Sequence, residues 1–408
     1  MKVLLINKFL YPKGGDAISA LKTGSLLAAK SHDVIYWGMQ HKLNPEYPYS
    51  DFFVSNVDFD AGMGFARKLG AAFRILYSFE ARDKIRKLLK KVRPDIVHLN
   101  NFAHQISPSI LSVFREYGIP AVMTMHDYKM VCASYTMFVN GNPCEMCGGG
   151  NYYWCAFNKC TKGSFFKSLV NTTEMYLHHK ILHIYDPVGV FISPSIFLKD
   201  KIREMGFKGE TVFLPNFIDA EEYIPEFGYQ EKTVCYFGRL SKEKGLFTLL
   251  NALKGSGIKL KVIGEGPLEE KLKLKAGNEG LDNVEFHGYR SGEELKSEIK
   301  KSAAVVLPSE WFENNPRSVL EAFALGKPVI GSRIGGIPEL VLNNETGLTF
   351  EAGNAVDLRE KIGCLMGKPD RIIEMGKNAR KLIEEKFSAE KHYLELMKIY
   401  ETAGSKRN

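Results

Sequence analysis

Short apolar runs recur along this chain, separated by longer stretches with apolar residues at helical spacing. In the first half the runs fall at residues 3–6, 33–37, 95–99, 121–124, 189–193 and 211–214. In the second half they fall at 233–237, 259–263, 284–287, 303–307, 329–331 and 347–350. A run with little polar alternation reads as a strand buried on both faces, as in a parallel sheet. Helical spacing is read from the loop at 8–16 to about residue 29, over 66–93, over 196–205, and at 357–365, 370–386 and 389–403. Strand and helix in alternation predict an α/β chain with doubly wound parallel sheets. At 408 residues there is material for two such domains. The polar, irregular stretch 220–232 reads as the linker. The expected division is a first Rossmann-like domain over 1–219, a second over 220–388, and a last helix over 389–408 with a frayed end.

One segment carries the most chemical information, LPSEWFENNPRSVLEAFALGKPVIGSRIGGIPE at 307–339. It opens on the end of a strand and continues through a polar loop into a punctuated helix. Asn315 is placed to cap the N-terminus, Pro316 suits the first helical position, and Gly326 suits the left-handed C-cap ahead of Pro328. Glu313 stands in the loop and Glu321 on the second turn. Between them, beside Asn314 and Asn315, lie the amides of a helix N-terminus, which attract anions. Carboxylates suit hydroxyls and the amides suit phosphate.

Other strand ends carry further candidates. Gly14-Gly15 lies between the first strand and the first helix, where glycines allow a ligand close to the backbone. It is not G-x-G-x-x-G, so dinucleotide binding is unsupported. Asn100-Asn101 and His126-Asp127 follow two further strands. The second domain opens with Gly238-Arg239-Leu240-Ser241-Lys242-Glu243-Lys244-Gly245, and Glu265 follows its next strand. Arg239 can clamp phosphate with a bidentate fork, and Lys244 can act as a mobile point charge.

Charge changes the picture modestly. Lys and Arg number 55 against 47 Asp and Glu, a formal +8. That excess favours phosphate-bearing ligands or an anionic membrane surface and is too weak to indicate nucleic acid. It is concentrated at 66–93, with ten basic residues against Glu80 and Asp83. Such a segment can lie on an anionic membrane or be a solvated helix face packed on its own sheet. No apolar run approaches a membrane span. The N-terminus reads as a strand rather than a signal peptide, so the expected compartment is the cytosol, with reduced thiols. Five of the seven cysteines fall in 132–160, in a loop without a clear helix or strand pattern. Cys144, Cys147, Cys155 and Cys160 are compatible with a structural zinc site, with thiols, or with disulfides.

The 307–339 segment resembles the retaining glycosyltransferases of family 4. The resemblance rests on Pro308-Ser309, Glu313, Glu321-Ala322 and Gly326-Lys327-Pro328-Val329-Ile330, with Arg239, Lys244, Gly264-Glu265-Gly266-Pro267, His126-Asp127 and Gly14-Gly15 in support. It implies the GT-B fold, two Rossmann-like domains facing across a cleft. It implies a nucleoside-diphosphate sugar donor, UDP- or GDP-linked, and transfer of a hexose-type sugar to a glycan or lipid-linked acceptor with retention. Polysaccharide or lipopolysaccharide assembly by a cytoplasmic enzyme, peripheral on the inner membrane face, fits that family habit. Residue by residue, Glu313 and His126 would meet the donor sugar, Glu321 the ribose, and Arg239 and Lys244 the diphosphate. No catalytic cofactor is implied. At the position where the family commonly has Glu after the glycine pair, this chain has Asp16. The cysteine-rich insert is not general in the family. The triplet Asp58-Phe59-Asp60 matches the metal-holding motif of the other major glycosyltransferase fold, against which the remaining motifs argue. The alternatives are a sugar-nucleotide epimerase on the same fold, and a non-enzymatic metal-bound nucleic-acid module.

Overall fold

The computed structural model of the chain describes residues 1–57 and 65–405. The Asp58-Phe59-Asp60 triplet lies outside the described residues. The chain divides into two compact units, Met1–Met137 with Glu145–Leu214 and Tyr393–Asn408, and Phe138–Cys144 with Pro215–His392.

The first unit is a parallel sheet wrapped by helices. Its elements run β1 (Lys2–Ile6), α1 (Gly15–Ala29), β2 (Asp33–Trp37), α2 (Phe65–Leu76), α3 (Phe79–Lys91), β3 (Ile96–Leu99), α4 (Leu111–Glu116) and β4 (Ala121–Thr124). A small hairpin, β5 (Phe138–Val139) and β6 (Asn142–Pro143), is grouped with the second unit. The first unit resumes with α5 (Tyr153–Phe157), α6 (Phe165–Tyr176), β7 (Val188–Ser193), α7 (Ile196–Glu204) and β8 (Thr211–Phe213). Sheet order is β2-β1-β3-β4-β7-β8, every pair parallel. β3 is buried at every position, and three of its four residues, Ile96, Val97 and Leu99, are apolar, as a strand covered on both faces requires. The cysteine-rich stretch, expected to lack regular structure, holds the hairpin and α5, and α6 follows it. Their short lengths and aromatic content hide them from a periodicity search.

α3 settles how its own half of the basic segment packs. Ser78 caps it, its hydroxyl accepting from the Ala81 N–H at 3.1 Å. Ala81, Ile85, Leu88 and Leu89 are buried against the unit. Lys87 pairs with Asp83 at 2.7 Å, and Lys84 with Glu80 at 3.6 Å.

The second unit repeats the plan with β9 (Thr233–Phe237), α8 (Leu246–Leu253), β10 (Lys259–Ile263), α9 (Glu269–Asn278), β11 (Val284–Gly288), α10 (Gly292–Lys301) and β12 (Ala304–Leu307). It continues through α11 (Arg317–Ala324), β13 (Val329–Ser332), α12 (Ile337–Leu340), β14 (Gly347–Phe350), α13 (Ala355–Met366) and α14 (Pro369–Lys386). Sheet order is β11-β10-β9-β12-β13-β14, again parallel throughout. Two apolar cores lie against this sheet, one around Tyr236, Leu249 and Phe350 and the other around Val305, Phe323 and Ile383.

Two local expectations change. Pro316 takes the N-cap position of α11 with an extended ψ of 116°, and the helix begins at Arg317. Asn315 therefore sits one residue too early to cap, and its buried Oδ1 has no hydrogen-bond partner. At the other end Gly326, with φ +74°, does close the helix. Its N–H donates to the Phe323 carbonyl and that of Lys327 to the Ala322 carbonyl, both at 2.9 Å, a Schellman pair. The stretch 220–232 is also more ordered than a linker. The Gln230 and Glu231 N–H groups both donate to the Lys301 carbonyl, at 3.1 and 3.0 Å. The fully buried Lys327 donates through Nζ to the Gly228 carbonyl at 2.6 Å.

The last helix, α15 (Ala389–Ser405), contributes Leu396, Ile399, Tyr400 and Ala403 to the same buried cluster as Val3, Ile96 and Val190 of the first sheet. The Tyr400 hydroxyl meets His98 Nδ1 at 2.7 Å, and Thr124 Oγ1 meets the other ring nitrogen at 2.8 Å. Tyr400→Phe leaves one buried imidazole nitrogen unpartnered and is expected to cost about 1–3 kcal/mol. Tyr400→Ala, which also opens a cavity, should cost about 3–5 kcal/mol. Urea denaturation checks both, and an unchanged midpoint in Tyr400→Ala would separate α15 from the first unit's folding.

Candidate active site

In a doubly wound sheet, loops leaving two adjacent strands diverge where the strand order reverses, and the crevice at their carboxyl ends is where ligands bind. In the second unit that point lies between β9 and β12, and in the first between β1 and β3.

The second unit's crevice is built from the loops 238–245 and 308–316. Gly245 has φ +66°, and a Cβ there would lie 1.8 Å from the Pro308 carbonyl oxygen. Only glycine allows the two loops to pass so closely. The passage brings Lys244 Nζ to Glu313, where it donates to Oε1 at 2.6 Å, and the Ser309 hydroxyl donates to the same oxygen at 2.6 Å. Glu313 is buried. Burial alone would raise its pKa, but the Lys244 charge and these hydrogen bonds outweigh it and hold the carboxyl below its ordinary value. Lys244 Nζ also stands 5.3 Å from the Trp311 ring centre. Arg239 is exposed and has no side-chain partner among the described residues. Glu265 is exposed, and its carbonyl accepts from the Leu240 N–H at 2.9 Å, tying the β9 and β10 loops. Asn314 is half-buried, and the Asn315 carbonyl accepts from Asn216 Nδ2 at 3.2 Å. Glu321 is half-buried on α11, 3.5 Å from Arg317. Two cations and a helix N-terminus beside two carboxylates can take a diphosphate and its hydroxyl-bearing neighbours.

In the first unit Gly14, with φ +89°, leads into α1, and Gly15 is the helix's first residue. Asp16 sits in the first turn, where the helix dipole favours an acid, and accepts from Asn101 Nδ2 at 2.7 Å. Asn7, fully buried, accepts the Asn101 N–H through Oδ1 at 3.0 Å. These bonds stitch the β1 and β3 loops together. His126 donates from Nε2 to Asn100 Oδ1 at 2.9 Å. Burial lowers the His126 pKa, and the nearby Asp16 and Asp127 charges only partly oppose it. The imidazole is therefore neutral near pH 7, with Nδ1 an acceptor.

Behind this edge lies a buried charge cluster. Glu174, on α6, is fully buried and accepts from Lys129 Nζ at 2.6 Å. His104 Nε2 and His178 Nδ1 stand 3.3 and 3.5 Å from its carboxylate. Burial would raise the Glu174 pKa, but the Lys129 charge and the two imidazoles hold it well below the usual carboxylate range.

Known proteins resemble this chain. A family model described as "Glycosyltransferase Family 4" matches residues 13–222, and one described as "Glycosyl transferases group 1" matches residues 219–382. The chain belongs to the glycosyltransferases that carry these two domains. D-rhamnosyltransferase WbpZ of Pseudomonas aeruginosa is 34% identical over 226 residues, covering 52% of this chain and 58% of that protein. Among solved structures, sucrose-phosphate synthase from Thermosynechococcus elongatus aligns over 98% of both chains with a TM-score of 0.74 at 20% identity. Anabaena HepE in complex with UDP and glucose aligns over 98% of this chain and 100% of its own, with a TM-score of 0.69 at 16% identity. The fold is GT-B.

In this glycosyltransferase Glu313 and Lys244 are joined in one contact, with Ser309 on the same carboxylate oxygen. Asn7, Asn100, Lys129 and Glu174 escaped the reading of side-chain roles. Asn7 and Asn100 carry the usual signal, a polar residue directly after a strand, whereas Glu174 looks like any helix acid. Cys147 and Cys155 lie in a small buried cluster with Ala133, Tyr152 and Met175, with Cys160 against it. The Cys132 and Cys147 thiols lie in hydrogen-bonding contact, as do those of Cys155 and Cys160. Cys144, half-exposed, is grouped with the second unit. No disulfide joins any of them, and among the described residues no group of three or more His, Cys, Asp or Glu is placed to hold a metal ion.

Glu174→Gln would strand the Lys129 cation, 4% exposed, without its countercharge. The expected cost at neutral pH is about 3–5 kcal/mol. Because the folded pKa of Glu174 is depressed, its contribution is complete above the unfolded carboxyl value of about 4.3 and is lost as pH falls toward the folded one. Urea midpoints of wild type and Glu174→Gln should therefore differ most at neutral pH and converge in acid.

Proposed function

We propose that this glycosyltransferase moves a hexose-type sugar from a nucleoside diphosphate, UDP or GDP, to a hydroxyl of a glycan or lipid-linked acceptor, with retention at the anomeric carbon and without a catalytic metal. The observation that carries the reading is the Lys244–Glu313 contact at the second unit's strand-order reversal, beside the exposed Arg239 and the start of α11. The likeness to HepE, solved with UDP and glucose, supports a donor of that class.

As the glycosidic bond breaks, negative charge grows on the departing diphosphate. Arg239, Lys244 and the α11 amides meet that charge from fixed positions, the arrangement that stabilises a transition state most effectively. The acceptor oxygen bonds to the anomeric carbon on the face the diphosphate leaves, and the acceptor proton passes to a diphosphate oxygen. Glu313 offers a fixed negative charge to the oxocarbenium-like sugar. Glu321 is assigned to the ribose hydroxyls, and the neutral His126 to a sugar hydroxyl. Calorimetry with UDP and GDP, followed by incubation with the matching labelled sugar nucleotide, tests the reading. A glycoside product is expected, and an epimerised donor without transfer would overturn it.

Lys244→Ala should lower turnover by roughly 10²–10³, the usual effect of losing one transition-state charge partner. Full activity in that variant would remove Lys244 from the chemistry.

Glu313 and Glu321 should separate kinetically. A ribose contact is made equally in ground and transition states, so Glu321→Ala should raise the donor KM more than it lowers kcat. Glu313→Gln keeps the shape and removes the charge, so it should bind donor nearly normally and turn over slowly. Nucleotide affinity and saturating turnover decide the matter, and the opposite pattern would exchange the two roles.

A further inference from the structure

α6 is built inside out. Ser168, Asn171, Thr172 and Glu174 are buried, while Phe165, Phe166 and Leu169 are 42%, 78% and 41% exposed. A surface helix facing water shows the reverse pattern. Most of the inward polar face is hydrogen-bonded. The Ser168 hydroxyl donates to the Ser164 carbonyl at 2.8 Å, Asn171 Nδ2 to Thr161 Oγ1 at 3.0 Å, and the Thr172 hydroxyl to the Tyr152 carbonyl at 3.2 Å. With Glu174 held by Lys129, the helix cannot roll its phenyl rings inward without breaking a buried ion pair. The adjoining α5 adds Phe157, 69% exposed.

The charge along this stretch of chain has one sign. Between Cys147 and Glu174 the chain carries Lys159, Lys162 and Lys167 and no Asp or Glu, and all three lysines are exposed. α3 differs, since its apolar residues are buried and Lys84 and Lys87 have acidic partners. A run of large exposed apolar side chains rimmed by cations marks an interaction surface.

We propose that the α5–α6 face docks on an anionic phospholipid bilayer, with Phe157, Phe165 and Phe166 entering the acyl boundary and the three lysines meeting headgroup phosphates. A second copy of the chain on this face would set lysines against lysines, whereas an anionic surface complements them. The contact is peripheral: among the described residues no helix is long and apolar enough to cross a membrane. The proposal stands apart from the transfer reaction, so vesicle binding and turnover on a soluble acceptor can fail independently.

The test is cosedimentation of the full chain with vesicles of phosphatidylcholine alone and with added phosphatidylglycerol. Brominated acyl chains provide a local readout, because Trp154 lies 6.2 Å from Phe157, ring centre to ring centre. The protein should bind the anionic vesicles, release in salt, and lose Trp154 emission to bromine. Phe157→Ser with Phe166→Ser should weaken partitioning at least about tenfold. Reversing Lys159, Lys162 and Lys167 to Glu should weaken it about a hundredfold, roughly fivefold per lysine. Both variants change exposed side chains and should keep the wild-type melting temperature. Three results would overturn the proposal: no binding of wild type to anionic vesicles, equal binding by the variants, or a dimer abolished by Phe166→Ser in a protein that ignores vesicles.

Discussion

Two backbones pass each other at Gly245 and Pro308 with no room for a single methyl group between them. That passage is possible because β9 and β12 are neighbours whose connections leave in opposite directions. It brings Lys244 to Glu313, where the two side chains pair at 2.6 Å. The order of strands is thus converted into the position of a charge, and the chemistry assigned to the second unit inherits its precision from the sheet.

Two buried carboxylates in this chain are each held by a lysine, and the contrast between them is instructive. The Lys129 side chain is 5% exposed beside Glu174, whereas the Lys244 side chain is 20% exposed beside Glu313. Both acids are held below their ordinary pKa by the same balance of burial against a nearby cation. The first pair is sealed and supports the frame behind His126. The second leaves its cation partly exposed to solvent while the carboxylate is buried.

Much of the architecture was legible because a strand buried on both faces has few ways to be written. Val3 to Ile6 and Val234 to Phe237 are apolar at each position and buried in the structure. Candidate positions could be named where they fall just after such strands, and the structure places His126 just after β4 and Arg239 just after β9. What stayed hidden breaks the usual correlation of residue type with burial. Lys327 reads as a surface cation, yet it is fully buried, with burial lowering its pKa to about 8. α6 turns its polar residues inward, so its pattern points to the wrong face. Pro316 shifts the start of α11 by one residue because its ψ of 116° is extended, a backbone detail that composition does not record.

The first unit is discontinuous in the chain. Its sheet is finished at Phe213, but the residues that seal Val3, Ile96 and Val190, from Leu396 on, come only after the whole second unit. During synthesis an open apolar face therefore waits while residues 215–392 are made, with His98 lacking its Tyr400 partner. Few contacts in the molecule span a greater sequence distance, and long-range closures of this kind form late. A ribosome-bound chain of this protein would present that face to the cell's chaperones until residues 389–405 emerge.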